Sequence, residues 1–466
     1  MAASLTQDIG AFVAGLTFDA IPAAAVEVVE TGTIDGVGVM IPGRAEANVG
    51  IVERRFRTRD EAPESRLFMT DERVSAPLAA LVNGVAMHVL DYDDVALPLG
   101  GHPSTVLVPA LLAEADAVPG TTGKDLVRAY VAGYEVWAEV AGRDADAHHL
   151  KGWHPTSALG VLGAAAACAV LRGLDADKAA QAIGIAASEA CGLVANFGSM
   201  TKSFHAGRAA QAGVLAARLA EDGLTAAPDV LEHPRGFLAA LSPAGKVDRE
   251  SPAKLGRSWQ IVAHRVGVKK YPMCYAVHRA LDAILDLRAE TGVKAEAVTG
   301  IRVELGAAQA AILRNSRPRT GLEAKFSIEF AMASALVAGR AGLSELTDPF
   351  VRGDEVQRLI RCVEVQTTEE RISAESIFAP FDRVTLTLAD GKTLESAQVV
   401  AARGDADLPL SRDELWAKFE DCLAQGAYGR GEARALFDAL DDMPNLASMA
   451  DLPSLGRSAV PLRATS

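Results

Sequence analysis

Along the first half of the chain, apolar residues recur at spacings of three and four, with polar residues between them. That period belongs to helices that turn one face inward. From Leu5 to about Leu241 it predicts helices over Val74 to Leu90, Val108 to Ala117, Leu126 to Ala141, Ala179 to Leu193 and Arg208 to Asp222. Thr122 opens one of them before Gly-Lys-Asp-Leu, and Gly223 closes another. Ala158 to Leu171 is apolar and uncharged but shorter than the roughly 18 residues that cross a bilayer. Its many Ala and Gly residues predict a buried helix against which neighbours pack closely. Almost nothing here alternates at period two, so this part is expected to be all-α.

Near Trp259 the pattern changes. Short β-branched runs appear at Ile301 to Leu305, Cys362 to Gln366 and Arg383 to Ala389. The last is followed by Asp390-Gly391 and a further run over Thr393 to Val400, and an Asp-Gly pair between such runs signals a hairpin. Helical stretches lie between them at Val277 to Glu290, Ile328 to Ala338 and Glu355 to Arg361. From Ser411 onward helices return at Glu414 to Ala424 and Arg430 to Leu440, ahead of a tail rich in Pro and Ser. The expected fold is mainly α: a large all-α domain from residues 1–265 and 406–466, with a smaller α+β domain, 266–405, inserted in it.

The chain has 466 residues, with 46 Lys and Arg against 60 Asp and Glu, for a formal net charge of −14. That balance argues against nucleic-acid binding, which needs a basic face to neutralise phosphates. Five cysteines without a C-x-x-C pair suit reduced thiols in a cytoplasmic setting. The first residues carry an acid where a secretory leader needs Lys or Arg, and no membrane span is predicted.

Phosphate-loop, dinucleotide, zinc-protease and serine-hydrolase fingerprints are absent. The nine histidines draw attention by their surroundings. His88 precedes Asp91-Tyr92-Asp93-Asp94, His102 lies in Gly-Gly-His-Pro-Ser and His154 in Gly-Trp-His-Pro-Thr. Lys202, His205 and Arg208 fall in Thr-Lys-Ser-Phe-His-Ala-Gly-Arg, while Lys269, Lys270, Tyr271 and Cys274 fall in Lys-Lys-Tyr-Pro-Met-Cys. Taken singly, a His beside Pro is a turn residue bonded to backbone. The three acids could take a divalent cation with His102, but they can equally orient His88 or His102 or cap a helix, so no metal is assigned.

Taken in order, H-x-L-D-Y-D-D, G-H-P-S, G-W-H-x-T, T-K-x-x-H-x-G and K-x-Y-P-x-C-x-x-x-H resemble the MmgE/PrpD family from about Ala76 to Ala338. The resemblance implies a homodimer with an active site between its domains. It also implies cofactor-free chemistry at the C–H bond next to a carboxylate of a small polycarboxylic acid. Such a proton is weakly acidic, so a positioned base and cations that stabilise the developing charge are needed.

On that resemblance, His102, His154, Lys202 and Lys269 are the expected catalytic residues. Asp91, His205, Arg208, Lys270, Tyr271 and Cys274 are expected to bind a small anionic carboxylate. Three positions depart from the decarboxylase pattern of the family: Val95 for Thr, Cys274 for His and Phe330 for Tyr. Each removes a proton donor, which favours an epimerase of the iminodisuccinate type. The alternative is a lyase that dehydrates a 2-methylcitrate-like acid or, less favoured, decarboxylates cis-aconitate. The basic residues named here are expected to make a local positive site on an otherwise negative protein.

Overall fold

The computed structural model describes residues 4–372, 377–426, 429–453 and 455–456. The end of the tail rich in Pro and Ser, residues 457–466, lies outside them. The protein is mainly α with small sheets. Its contacts divide it into two compact units, Met1–Val268 with Arg412–Ser466, and Lys269–Ser411.

In the first unit, long helices run over Ala23–Gly43, Ala76–His88, Ser104–Ala117, Gly123–Ala141, Gly160–Leu171 and Thr201–Glu221, joined by Arg412–Gly426 and Arg430–Asp441. Thr122 caps its helix as expected: its side chain accepts from Asp125 N while the Asp125 carboxylate accepts from Thr122 N. The Gly160–Leu171 helix is buried along its whole length. Small residues set how closely the central helices approach. A Cβ built on Gly207 would lie 2.4 Å from the Leu81 carbonyl oxygen, and one on Gly163 would lie 2.8 Å from Gly133 O. Glycine at 207 thus seats the Thr201–Glu221 helix directly on Ala76–His88.

One correction follows. This region is not wholly helical, because Ser65–Arg66 and Arg73–Val74 form an antiparallel ladder. Two-residue strands are too short to leave a period-two signature.

In the second unit, the strand Val298–Gly306 pairs in parallel with Val363–Thr368 and antiparallel with Arg383–Leu388, which pairs in turn with Thr393–Glu395. Gly391 takes a left-handed φ of 83° in the tight turn between the last two. The final strand stops at Glu395, shorter than its apolar run predicts, and Val399 instead bridges to Asp382. Helices His278–Thr291, Ile328–Ala338 and Asp354–Ile360 belong to this unit, whose core includes Leu281, Ile284, Val303, Phe330 and Leu386. Among the described residues, no helix is long and apolar enough to cross a membrane.

Candidate active site

The turn after the Ala76–His88 helix delivers Asp91-Tyr92-Asp93-Asp94 as a non-helical segment, with Asp91 at a left-handed φ of 53°. Alternate residues then serve two neighbourhoods. Asp91 and Asp93 meet His88, His102 and Lys202. Tyr92 lies against Lys418, and Asp94 accepts from both the backbone N–H and the hydroxyl of Ser104 at the start of the next helix.

The Asp93 carboxylate is the hub. Its Oδ2 lies 2.8 Å from His88 Nδ1 and 3.1 Å from His102 Nδ1. The two imidazoles meet edge to face with ring centres 4.7 Å apart. With both Nδ1 atoms turned to one carboxylate oxygen, the partly exposed His102 keeps its Nε2 for other work, whereas His88 Nε2 is buried. His102 Nε2 stands 3.9 Å from Asp91 Oδ1, and Lys202 Nζ donates to the same oxygen at 2.6 Å. Lys202 and His205 lie three residues apart at the start of the Thr201–Glu221 helix, so they share a face. His154 initiates the short helix Pro155–Ala158 and fixes its own backbone by donating to Gly192 O. Its Nδ1 lies 3.2 Å from His205 Nδ1. Phe197 packs edge-on against His154 at 4.8 Å and lies 5.4 Å from Lys202 Nζ.

The electrostatics sort these groups. Burial lowers the His88 pKa to about 4, although Asp93 opposes the shift. For Asp93, burial favours the neutral acid, but the His88 and His102 imidazoles outweigh it and hold the carboxyl well below its ordinary range. His154 is lowered by burial first and then by His88 and Lys202, and His205 by burial and Lys202. His154 and His205 are therefore neutral near pH 7. Because their Nδ1 atoms share one hydrogen bond, one ring presents a donor Nε2 and the other an acceptor Nε2. Asp94 is raised well above its usual value by burial and the nearby charge of Asp35.

His88, Asp91, Asp93 and His102 could also hold a metal ion, since one ligand atom from each lies within 4.8 Å of the others. In this structure, the His88–Asp93 hydrogen bond, the 3.1 Å contact of His102 with Asp93 and the Lys202–Asp91 ion pair already join them.

Of the residues expected from sequence, Asp91, His102, His154, Lys202 and His205 come together. Arg208 turns instead to Gln211 on its own helix and lies 3.6 Å from Glu189. Lys269, Lys270, Tyr271 and Cys274 belong to the second unit. There Lys269 is buried, the Tyr271 hydroxyl donates to Asp282 at 2.6 Å, and Cys274 N donates to Lys325 O. Two residues before Lys269, Gly267 is clamped to Val95 by a pair of backbone hydrogen bonds of 2.8 and 2.7 Å.

One inference from the departures needs correction. Phe330 is fully buried, its ring 6.2 Å from Phe350 in the core of its unit, so its missing hydroxyl removes no donor from an open pocket. Asp93 and His88, which the sequence offers only as an orienting acid and the imidazole it orients, belong to the site, and so does Phe197, for which the sequence gives no signal. The H-x-L-D-Y-D-D spacing contained the first two, but nothing in it showed that one carboxylate takes two imidazoles.

Two family models match the chain, the MmgE/PrpD N-terminal domain over residues 7–250 and the MmgE/PrpD C-terminal domain over residues 271–442. The chain is 30% identical to a cis-aconitate decarboxylase of Homo sapiens over 356 residues, which covers 75% of this chain and 73% of that protein. It is 29% identical to the Mus musculus cis-aconitate decarboxylase over 357 residues, 75% of this chain and 72% of the relative. A cis-aconitate decarboxylase of Aspergillus terreus is 26% identical over 416 residues, 84% of each.

Proposed function

The chain belongs to the MmgE/PrpD family, and from that premise we propose that it is a lyase that decarboxylates an unsaturated tricarboxylate of the cis-aconitate type. The observation that carries the reading is the Asp93–His102 pair beside the Lys202–Asp91 ion pair. Breaking the bond to one carboxylate of cis-aconitate releases CO₂ and leaves its electron pair in the conjugated system, spread towards a second carboxylate. One proton must then be delivered to carbon. The reaction consumes one proton and needs no oxidant.

Its two demands are a donor and fixed positive or polar groups for the remaining carboxylates. His102, held through Nδ1 by Asp93, delivers the proton from Nε2. Lys202 exchanges Asp91 for a substrate carboxylate, and the neutral His154–His205 pair adds a donor without another charge. Lys269 enters on its motif alone as a further cation of the reaction.

The expectation of epimerisation rested on lost donors, and Phe330, buried in the core of its unit, no longer counts as such a loss. Every relative named above is a cis-aconitate decarboxylase, which favours the lyase alternative over an iminodisuccinate epimerase. Purified protein is to be offered cis-aconitate, 2-methylcitrate and iminodisuccinate in D₂O. The reading expects CO₂ and a five-carbon dicarboxylate carrying one deuterium at carbon from the first. Loss of water from 2-methylcitrate, or deuterium exchange into iminodisuccinate without mass loss, each in the absence of decarboxylation, would replace it.

A further inference from the structure

We infer that Lys418, on the C-terminal helix Arg412–Gly426, is a positioning residue of the active site, acting through Tyr92 on Asp91 and Asp93. The inference rests on the lyase reading for its kinetic arm and on geometry alone for the rest. Lys418 is buried, 6% exposed, in a place where an ammonium group is costly unless paired. It has three partners. Its Nζ lies 2.5 Å from Asp35 Oδ1 on the Ala23–Gly43 helix, donates to the Tyr92 carbonyl at 2.8 Å and stands 3.8 Å from the centre of the Tyr92 ring.

An ion pair with Asp35 would already satisfy a purely structural lysine. The bond to the Tyr92 carbonyl is different in kind, because it fixes the peptide unit that leads into Asp93, and the contact with the ring fixes the residue between the two working acids. Tyr92 is buried, and the residue before it holds a left-handed backbone, which aspartate adopts more readily than most residues but still at a cost that its surroundings must offset. Lys418 supplies part of that support. With Tyr92 held inward, the side chains on either side of it turn to Lys202 and to the two imidazoles. A segment that carries none of the family's histidine or lysine motifs thereby sets the register of the acid that orients His102. Displacing a proton-transfer group by about 1 Å costs on the order of 100-fold in rate, so a small shift of this peptide is enough to be measured.

The test compares the parent with Lys418→Met, Asp35→Asn and the double variant in the full chain. Lys418→Met alone leaves Asp35 buried without its cation and is expected to lower stability. The double variant removes both charges and restores most of that loss, because a buried pair replaced together costs little. Turnover of cis-aconitate separates the roles: the double variant stays about tenfold or more below Asp35→Asn in kcat, with KM changed less than about threefold. A second arm needs no activity. In protein carrying ¹⁵N-labelled histidine, the ring-nitrogen signals of His102, assigned by their loss in His102→Gln, shift in the double variant and not in Asp35→Asn. A double variant as active as Asp35→Asn, or one with unmoved His102 signals, overturns the inference. If the parent releases no CO₂ from cis-aconitate, the lyase reading falls while the nitrogen signals still decide the role of Lys418.

Discussion

Replacing Asp93 with Asn removes one negative charge and almost no volume. The carboxylate oxygen that faces His88 Nδ1 at 2.8 Å and His102 Nδ1 at 3.1 Å becomes half of a neutral amide. An amide can place a donor where the carboxylate had only acceptors, so it no longer dictates which nitrogen of His102 carries the proton. A hydrogen bond to a charged partner is worth about 1.5–3 kcal/mol, which at about 1.4 kcal/mol per decade converts to a loss of roughly 10- to 150-fold in kcat. Because the Asp93 carboxyl is held well below its ordinary pKa, its contribution is complete above the unfolded value near 4 and is lost only as pH falls through the folded one. The deficit at pH 7 is therefore the whole effect. Steady-state CO₂ release from cis-aconitate gives kcat and KM, and denaturant unfolding checks the fold. Since Asp93 is buried behind the imidazoles, KM is expected to change less than about threefold. A folded Asp93→Asn variant with kcat within about twofold of the parent would refute the assignment of Asp93 as the group that orients His102.

The remaining predictions concern pH, charge and packing. His88 is neutral when folded and has a pKa near 4 there, so the unfolded chain binds its proton first and stability falls as pH drops from about 6.5 to 4. Between pH 7 and 4.5 the parent should lose ~2 kcal/mol more than His88→Gln in urea unfolding, and equal losses would contradict a buried neutral His88. Lys202→Ala should raise KM for cis-aconitate about tenfold or more, with Lys202→Arg recovering part of it, because the ammonium is assigned to a carboxylate; an unchanged KM removes Lys202 from substrate binding. Gly207→Ala should cost about 1–3 kcal/mol of unfolding free energy by pushing the Thr201–Glu221 helix off Leu81, and a neutral result would mean that the helices separate without loss.

The parts of the fold that were legible share a simple physical origin. The Ile328–Ala338 helix matches its predicted span because it is buried on nearly every side, which leaves a continuous run of apolar and small residues, and because Ser327 caps its start and Gly339 ends it. Arg383–Leu388 and the turn at Gly391 were legible because β-branched residues and a left-handed glycine are each chemically demanding. The Ser65–Val74 ladder escaped because a two-residue strand demands nothing of that sort. The site divides in the same way. His102, His154, Lys202 and His205 stand out beside Gly and Pro, where a titratable side chain has no packing reason to be. Arg208 looks the same on paper yet pairs with Gln211 and Glu189, since sequence spacing gives a helix face but not its neighbour. Asp93 taking two imidazoles and Lys418 reaching Tyr92 from 326 positions further along are long-range meetings that only folding reveals.

The central claim is that this constellation delivers a proton to carbon as CO₂ leaves. The most direct measurement is CO₂ released from cis-aconitate by the purified parent and by folded His102→Gln, each quantified against the five-carbon dicarboxylate formed. The account predicts equal amounts of the two products from the parent and a rate at least about 100-fold lower from the variant. Turnover by the variant at the parental rate, or a parent that leaves cis-aconitate intact, would contradict it.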